Sequence, residues 1–240
     1  MIERPIKPSG ILGLESFEKE ECVSCATDSK SRRGMSTLPP VDVVIVGSGI
    51  SGICAAAMLT LHCPKLSFVI IERRDNIGGT WDFFKYPGIR SDSDMHTLGF
   101  SFFPWHSDKA IAAADDIMGY LNETIEHFKL RDKIYLQHNV EKMDFDSKTS
   151  RWTLSVTNNA SQQQKTLQCQ FLHMCTGYYE YEAGYTPDFA GLDRFKGKLV
   201  HPQKWDTEFD YSKKRIVVIG SGATAVTIVP KLAEIAEHVR

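Results

Sequence analysis

The sequence predicts an α/β protein: a parallel sheet wrapped by helices, carrying a small antiparallel meander, and followed by the start of a second unit of the same kind. Three observations predict it. A β-branched run at 41–46 leads straight into a glycine-rich turn and a helix of small residues. The same order returns at 214–226. Between the two lie strand-length alternating segments around a polar turn.

Taken in order, residues 1–40 are rich in Ser, Glu, Lys and Pro with no sustained period, the composition of a flexible leader. Met35 offers an alternative start, and the acidic residues Glu15, Glu18, Glu20 and Glu21 argue against a transit peptide. Cys22 and Cys25 have redox or zinc-knuckle spacing but lack a second pair or histidine partners. The remaining four cysteines fall in apolar segments and read as reduced core residues of an intracellular protein.

Val41 to Val46 reads as a strand buried on both faces, and Ile53 to Leu61 as a helix that Pro64 stops. Leu66 to Glu72 is a second strand ending in an acid. Strand, turn, helix, strand and acid together make the Rossmann dinucleotide unit. Gly47 permits the tight turn, Gly49 lets backbone approach a pyrophosphate, and Gly52 lets helix and strand pack closely. The helix N-terminus presents free N–H groups to phosphate. Glu72 can accept from a ribose diol and would repel a 2′-phosphate, which points to FAD or NAD at this turn.

Gly78, Gly79, Thr80 and Trp81 then place bare backbone and a large apolar face beside one another, as a flat ligand requires. Arg90 and Asp92 stand two apart in the loop Tyr86 to Met95, as a site or as a solvated ion pair. Phe100, Phe102, Phe103 and Trp105 form an aromatic cluster expected in the core or a pocket wall. Ala110 to Leu130 has the spacing of an amphipathic helix. Lys133 to Val140 resembles a strand, with Val140 where backbone meets an adenine, and Lys142 to Phe171 reads as the meander. Phe171 to Gly177 reads as a last buried strand, ending in Thr176-Gly177 at the edge where open α/β sheets bind ligands. His173 within it reads as a core histidine. In the second unit, Gly220, Ser221, Gly222, Ala223, Thr224 and Ala225 repeat the phosphate turn, with a helix expected over Val226 to Ala236 and the second strand due where the chain stops.

Composition excludes several classes. With 240 residues, 42% hydrophobic, 24% charged and a net charge of −2, the chain has no electrostatic case for nucleic acid or an anionic membrane. No apolar run reaches the roughly 18 residues of a membrane-spanning helix. The expected location is cytoplasmic.

The connector between the two turns holds Phe195, Gly197, His201, Trp205 and Asp206. With the paired glycine turns, Gly78 to Trp81 and the loop Tyr86 to Asp94, it resembles the class B flavoprotein monooxygenases, type I Baeyer–Villiger monooxygenases in particular. Their fingerprint is F-x-G-x-x-x-H-x-x-x-W followed by Pro or Asp. The His-Pro-Gln at 201–203 and the loop through Met95, Thr97 and Leu98 look most like the ethionamide-activating group. The resemblance covers about residues 41 to 240, the N-terminal half of such an enzyme.

The resemblance implies FAD on the first turn, with Gly47, Gly49, Ser51 and Gly52 at the pyrophosphate and Glu72 on the ribose. Gly79, Thr80, Trp81 and Asp82 would line the flavin, Val140 the adenine, and Thr176 and Gly177 the sheet edge. NADPH would take Gly220 to Val226, its nicotinamide reaching toward Arg90, Ser91 and Asp92. It implies an enzyme that forms a flavin peroxide from O2 and inserts one oxygen into a ketone, or adds it to sulfur or nitrogen. Asp92 and Arg90 would be catalytic and His201 a coupling residue. The organisation implied is a leader (1–40), a FAD-binding domain (41–200), a fingerprint linker (201–212) and the start of an NADP-binding domain (213–240), inactive alone. The alternatives are a flavin disulfide reductase, which needs a cysteine pair beside the flavin, and a non-catalytic FAD- and NADP-binding paralogue.

Overall fold

The computed structural model describes residues 36–37 and 39–240. Cys22 and Cys25, and the rest of the leader reading before Ser36, lie outside the described residues. Ser36–Thr37 form a two-residue strand, β1, and β2 is Val41–Val46. Helix α1 spans Ile50–His62 and β3 Phe68–Ile71. Two one-turn helices follow, α2 (Thr80–Phe83) and α3 (Met95–Leu98), then the longer α4 (Ala114–His127). The meander side of the sheet contains β4 (Ile134–Tyr135), β5 (His138–Asp146), β6 (Arg151–Asn158) and β7 (Gln164–Met174). The last unit is β8 (Arg215–Ile216), α5 (Ala223–Ala233) and β9 (His238–Val239).

One seven-stranded sheet runs β4-β3-β2-β7-β6-β5, with β1 also pairing β7. Strands β4, β3, β2 and β7 are parallel, while β7, β6 and β5 are antiparallel. The apolar run of β2 divides between two cores. Val43 and Ile45 join Phe68 and Ile70 against α1 and α4, packing on Ile53, Ile117, Leu121 and Ile125. Val44 and Val46 join Val69 and Ile71 on the other face, against Leu154, Val156, Leu167 and Cys169. Burial on both faces is why this strand shows no polar alternation. The aromatic cluster is packed as expected: Tyr120 of α4 accepts from the Phe100 N–H at 2.7 Å and donates to the Phe103 carbonyl at 2.6 Å.

Several expectations need correction. The meander's third strand and the strand ending in Thr176-Gly177 are one element, β7. Its first half pairs antiparallel with β6 and its second half parallel with β2, exchanging partners near Cys169. That second half is not buried on both faces: Phe171, His173 and Met174 are exposed, so His173 is not a core histidine. The stretch 133–140 is two strands, broken at Gln137, whose φ of 60° belongs to a turn. Helix α5 begins and ends three residues earlier than the pattern indicates, starting directly behind Gly222. The strand due after it has begun, as β9 pairs with β8. Ser36–Thr37, inside the expected leader, pair with Lys165 and Thr166 of β7.

Candidate functional site

The carboxyl ends of β2, β3 and β7 enclose a cleft of about 500 Å³. The first glycine turn forms its floor. Gly47 has φ 105°, and a Cβ there would lie 2.8 Å from the Cys175 carbonyl carbon, so β7's end rests directly on the turn. The Gly47 N–H donates to Ile71 at 2.8 Å, and the Cys175 N–H donates to Val46 at 2.7 Å. At Gly52 a Cβ would press into the Gly47 carbonyl, 3.0 Å from its carbon, which explains the requirement at the third position. Gly49 faces Gly79: a Cβ on Gly79 would approach the Gly49 Cα to 3.1 Å. Two bare backbones therefore meet at the cleft. Helix α1 starts with Gly49 as its N-cap and no side-chain cap, leaving N–H groups open to an anion, with Ser51 in that first turn lining the cleft.

Glu72, at the tip of β3, is buried and preplaced. Its Oε2 accepts from the Ser48 N–H at 2.8 Å and hydroxyl at 3.0 Å, and its Oε1 from the Arg74 N–H at 3.0 Å. Thr80, Trp81, Val140, Thr176 and Gly177 line the same cleft. Asp82 does not. Its carboxylate pairs with Arg74 at 2.5 Å and accepts from Asn76 at 2.8 Å, while Arg74 also donates to the Gly79 carbonyl at 3.3 Å. Asp82 thus braces the glycine loop from behind.

Arg90, Ser91 and Asp92 lie outside that lining. Ser91 is buried, its hydroxyl accepting from the Ala112 N–H at 3.1 Å, and Arg90 bridges to Ala113, so the loop is pinned to the segment leading into α4. Asp92 is exposed, and its negative charge helps to raise the phenols of Tyr86 and Tyr179. Tyr179 is pushed up to about 12, first by its hydrogen bond with Tyr178, which favours the protonated phenol, and then by burial. Burial raises Tyr86, opposed by its hydrogen bond with Thr224 on the second turn. Gly88 sits against α5, where a Cβ would come 2.7 Å from Lys231 Cγ and 3.0 Å from the Thr227 carbonyl oxygen. The loop thereby touches the second unit. On that unit Gly220 has φ 142°, and neither Gly220 nor Gly222 has a heavy atom within 4 Å of a Cβ position. Ser221, Ala223, Ala225 and Val226 stand on this open turn and the first turn of α5.

Each fingerprint side chain has a partner. The Phe195 ring folds onto Gly197, and Trp205 stacks on Tyr211 at 4.6 Å and 17°. Lys198 pairs with Asp206, holding its carboxyl below the usual range, and lies 4.1 Å from the Phe209 ring centroid. His201 Nδ1 accepts from the Gln203 N–H at 3.2 Å, capping the short 3₁₀ turn at 202–204.

Sequence reasoning missed Arg73, His138, Tyr178, Tyr179 and Tyr181, all of which line the cleft. The tyrosines directly after Thr176-Gly177 carried a signal, because whatever follows that strand stands at the ligand edge. A disulfide-exchange site gains nothing here. Cys175 lines the cleft and Cys54 lies on α1, but burial raises both thiols, the wrong direction for a redox nucleophile. Among the described residues no group of side chains could hold a metal ion, and no helix is long and apolar enough to cross a membrane.

Known proteins resemble this chain in sequence and in fold. The FAD-containing monooxygenase EthA of Mycolicibacterium smegmatis is 53% identical over 191 residues, 80% of this chain and 38% of the relative. EthA of Mycobacterium tuberculosis H37Rv is 49% identical over 200 residues, 83% of this chain and 40% of the relative. An oxidized steroid monooxygenase bound to NADP superposes with a TM-score of 0.71 at 30% identity, covering 84% of this chain and 38% of that one. The chain thus spans about 40% of the length of the curated relatives it matches. The family described as FMO-like, flavin-binding monooxygenase-like, matches residues 41–240, and the chain belongs to it.

Proposed function

We propose that this chain belongs to a FAD-dependent, NADPH-consuming monooxygenase. It transfers one oxygen atom of O2 into a ketone, Baeyer–Villiger fashion, or onto the sulfur of a thioether or the nitrogen of an amine. The observation that supports this most is the cleft itself: a glycine cradle that any Cβ would fill, beside a buried, preplaced Glu72. Its residues fit FAD, whose adenosine ribose bears no 2′-phosphate for that carboxylate to repel. Bound FAD would supply the redox and oxygen-activating chemistry.

The chain's residues hold and orient. The α1 N–H groups and Ser51 take the pyrophosphate, with Gly47, Gly49 and Gly52 giving it room. Glu72 accepts from ribose hydroxyls, and Val140 offers backbone to the adenine. Gly79, Thr80 and Trp81 bound the flavin end, with Thr176 and Gly177 on the opposite edge. Asp82 acts through Arg74 on the loop. NADPH takes the second turn, Gly220 to Val226. Arg90 and Asp92, on a loop already touching α5, set the charge near the nicotinamide. We assign residues 41–200 to the FAD-binding domain, 201–212 to the linker and 213–240 to the NADP-binding domain. Free Cys54, Cys63, Cys169 and Cys175, with the use of NADPH, support a cytoplasmic setting.

The complete reading frame is expected to purify with bound flavin, oxidise NADPH, and release oxygenated product from a ketone or thioether. Disulfide reduction without oxygen consumption would replace the proposal with a reductase, and failure to take up flavin would remove it. Within that protein, Glu72→Gln should weaken FAD binding by about tenfold or more through loss of charge-assisted hydrogen bonds. Asp92→Ala should keep FAD and slow turnover by roughly 10²-fold; a wild-type rate would strike Asp92 from the site.

A further inference from the structure

Residues 178–184 leave the cleft end of β7 and run to the fingerprint, and their contacts grip both. At the cleft, the Tyr181 ring stacks on Phe83 with centroids 4.2 Å apart and planes at 26°. Its hydroxyl lies 3.4 Å from Thr80 Oγ1, and a Cβ on Gly79 would come 3.9 Å from that hydroxyl. The Arg73 guanidinium lies 5.6 Å from the Tyr181 ring centroid and pairs with Glu182 at 3.5 Å. On either side of Tyr181 the segment meets the fingerprint, and before it Gln203 Nε2 donates to the Glu180 carbonyl oxygen. The His201 ring packs on Gly184 so closely that a Cβ there would come 2.5 Å from each ring nitrogen. Gly184 is not in the left-handed region, so its missing side chain serves the contact with His201 rather than a turn.

We infer that this short strap couples the fingerprint to the cleft, and that Tyr181, held between the two fingerprint anchors, is its positioning residue. Two fixed anchors lie only a few residues apart, so a shift of His201 or Gln203 has little slack before it moves Tyr181. Tyr181 in turn bears on Thr80 and Gly79, the bare-backbone edge of the cleft. The aromatic stack and the backbone hydrogen bond carry the link, since an exposed pair such as Arg73 with Glu182 contributes little by itself. The inference rests on the reading of the cleft as the FAD site, and it adds what communicates with that site.

The test is a double-mutant cycle in the full-length protein, read as the FAD dissociation constant by quenching of flavin fluorescence on reloading apoprotein. Tyr181→Ala should weaken FAD binding by about tenfold, and Tyr181→Phe, which keeps the stack, by only about twofold. His201→Ala lies remote from the ligand, yet should weaken binding by about threefold, and the double variant should be no weaker than Tyr181→Ala alone. Additive effects, or wild-type affinity in Tyr181→Ala, would overturn the coupling. Should Tyr181→Ala fail to fold, Tyr181→Leu replaces it in the same cycle with the same criteria. A wild-type protein that takes up no FAD would instead defeat the underlying reading of the cleft, a separate result.

Discussion

At the scale of single residues, His138 shows how local wiring fixes a protonation state. Asn158 Oδ1 accepts from the N–H groups of Ala160 and Ser161, both at 2.9 Å, so its Nδ2 must be the atom that faces His138 Nε2 at 3.3 Å. That nitrogen is then an acceptor, and the proton sits on Nδ1, which donates to the Leu136 carbonyl at 2.7 Å. Burial lowers the His138 pKa from 6.5, assisted by the charge of Lys165. With the folded value depressed, the unfolded chain binds the extra proton first. Stability contributed by neutral His138 is therefore present above about pH 6.5 and is lost as the pH falls through the folded value. Urea midpoints at pH 7.5 and 5.5 should differ more for the wild type than for His138→Gln; equal differences would refute the account. Asp82 teaches a related lesson about reading sites. An acid in a glycine loop shows no partner in the sequence, and only the folded loop reveals that Arg74, eight residues earlier, pairs with it.

At the scale of elements, β2, α1 and β3 were legible because their signals are local: an apolar run, a glycine spacing, a terminal acid. β7 was not, because one strand obeys two rules. Up to Cys169 it is meander, with Leu167 and Cys169 turned into the second core; beyond it, the strand joins the parallel sheet and leaves Phe171 and Met174 exposed. A run of apolar residues reads the same whether one face or two are covered. The tyrosines at 178, 179 and 181 match no motif, and their role emerges only from where β7 ends. Leu167 is fully buried in the layer that the meander adds to the sheet, so Leu167→Ala should cost about 2–5 kcal/mol in chemical denaturation. A cost below about 1 kcal/mol would show that the second core contributes little. Cys169 beside it, pushed up to about 11 by burial, is chemically quiet for the same reason.

For the molecule as a whole, the two glycine turns have unequal support. The first is locked between β3, β7 and the Gly79 loop, and the strands β2 and β3 that carry it are buried on both faces. The second rests on a two-stranded sheet, with Val217, Ile219 and Val226 exposed, and touches the first at Tyr86 and Gly88. Neither core cluster of the large sheet includes a residue beyond 212. A chain ending at Ser212 is therefore expected to melt within a few degrees of the 240-residue chain, as distant, weakly coupled parts do. A drop of more than about 10 °C would mean that the last unit stabilises the sheet.

The central place of β2 also dictates when the protein becomes itself. Its neighbour on one side, β3, follows within a helix's length, but on the other Val43 must wait for Phe171. That pairing closes just over half of the chain into a single loop, the kind of contact that slows folding. During synthesis β2, α1 and β3 emerge with one long hydrogen-bonding edge unmet, and the cleft's wall at Cys175 and the tyrosines behind it arrives much later. The cleft therefore depends on a long-range pairing, and until it forms the waiting edge of β2 is open to mispairing.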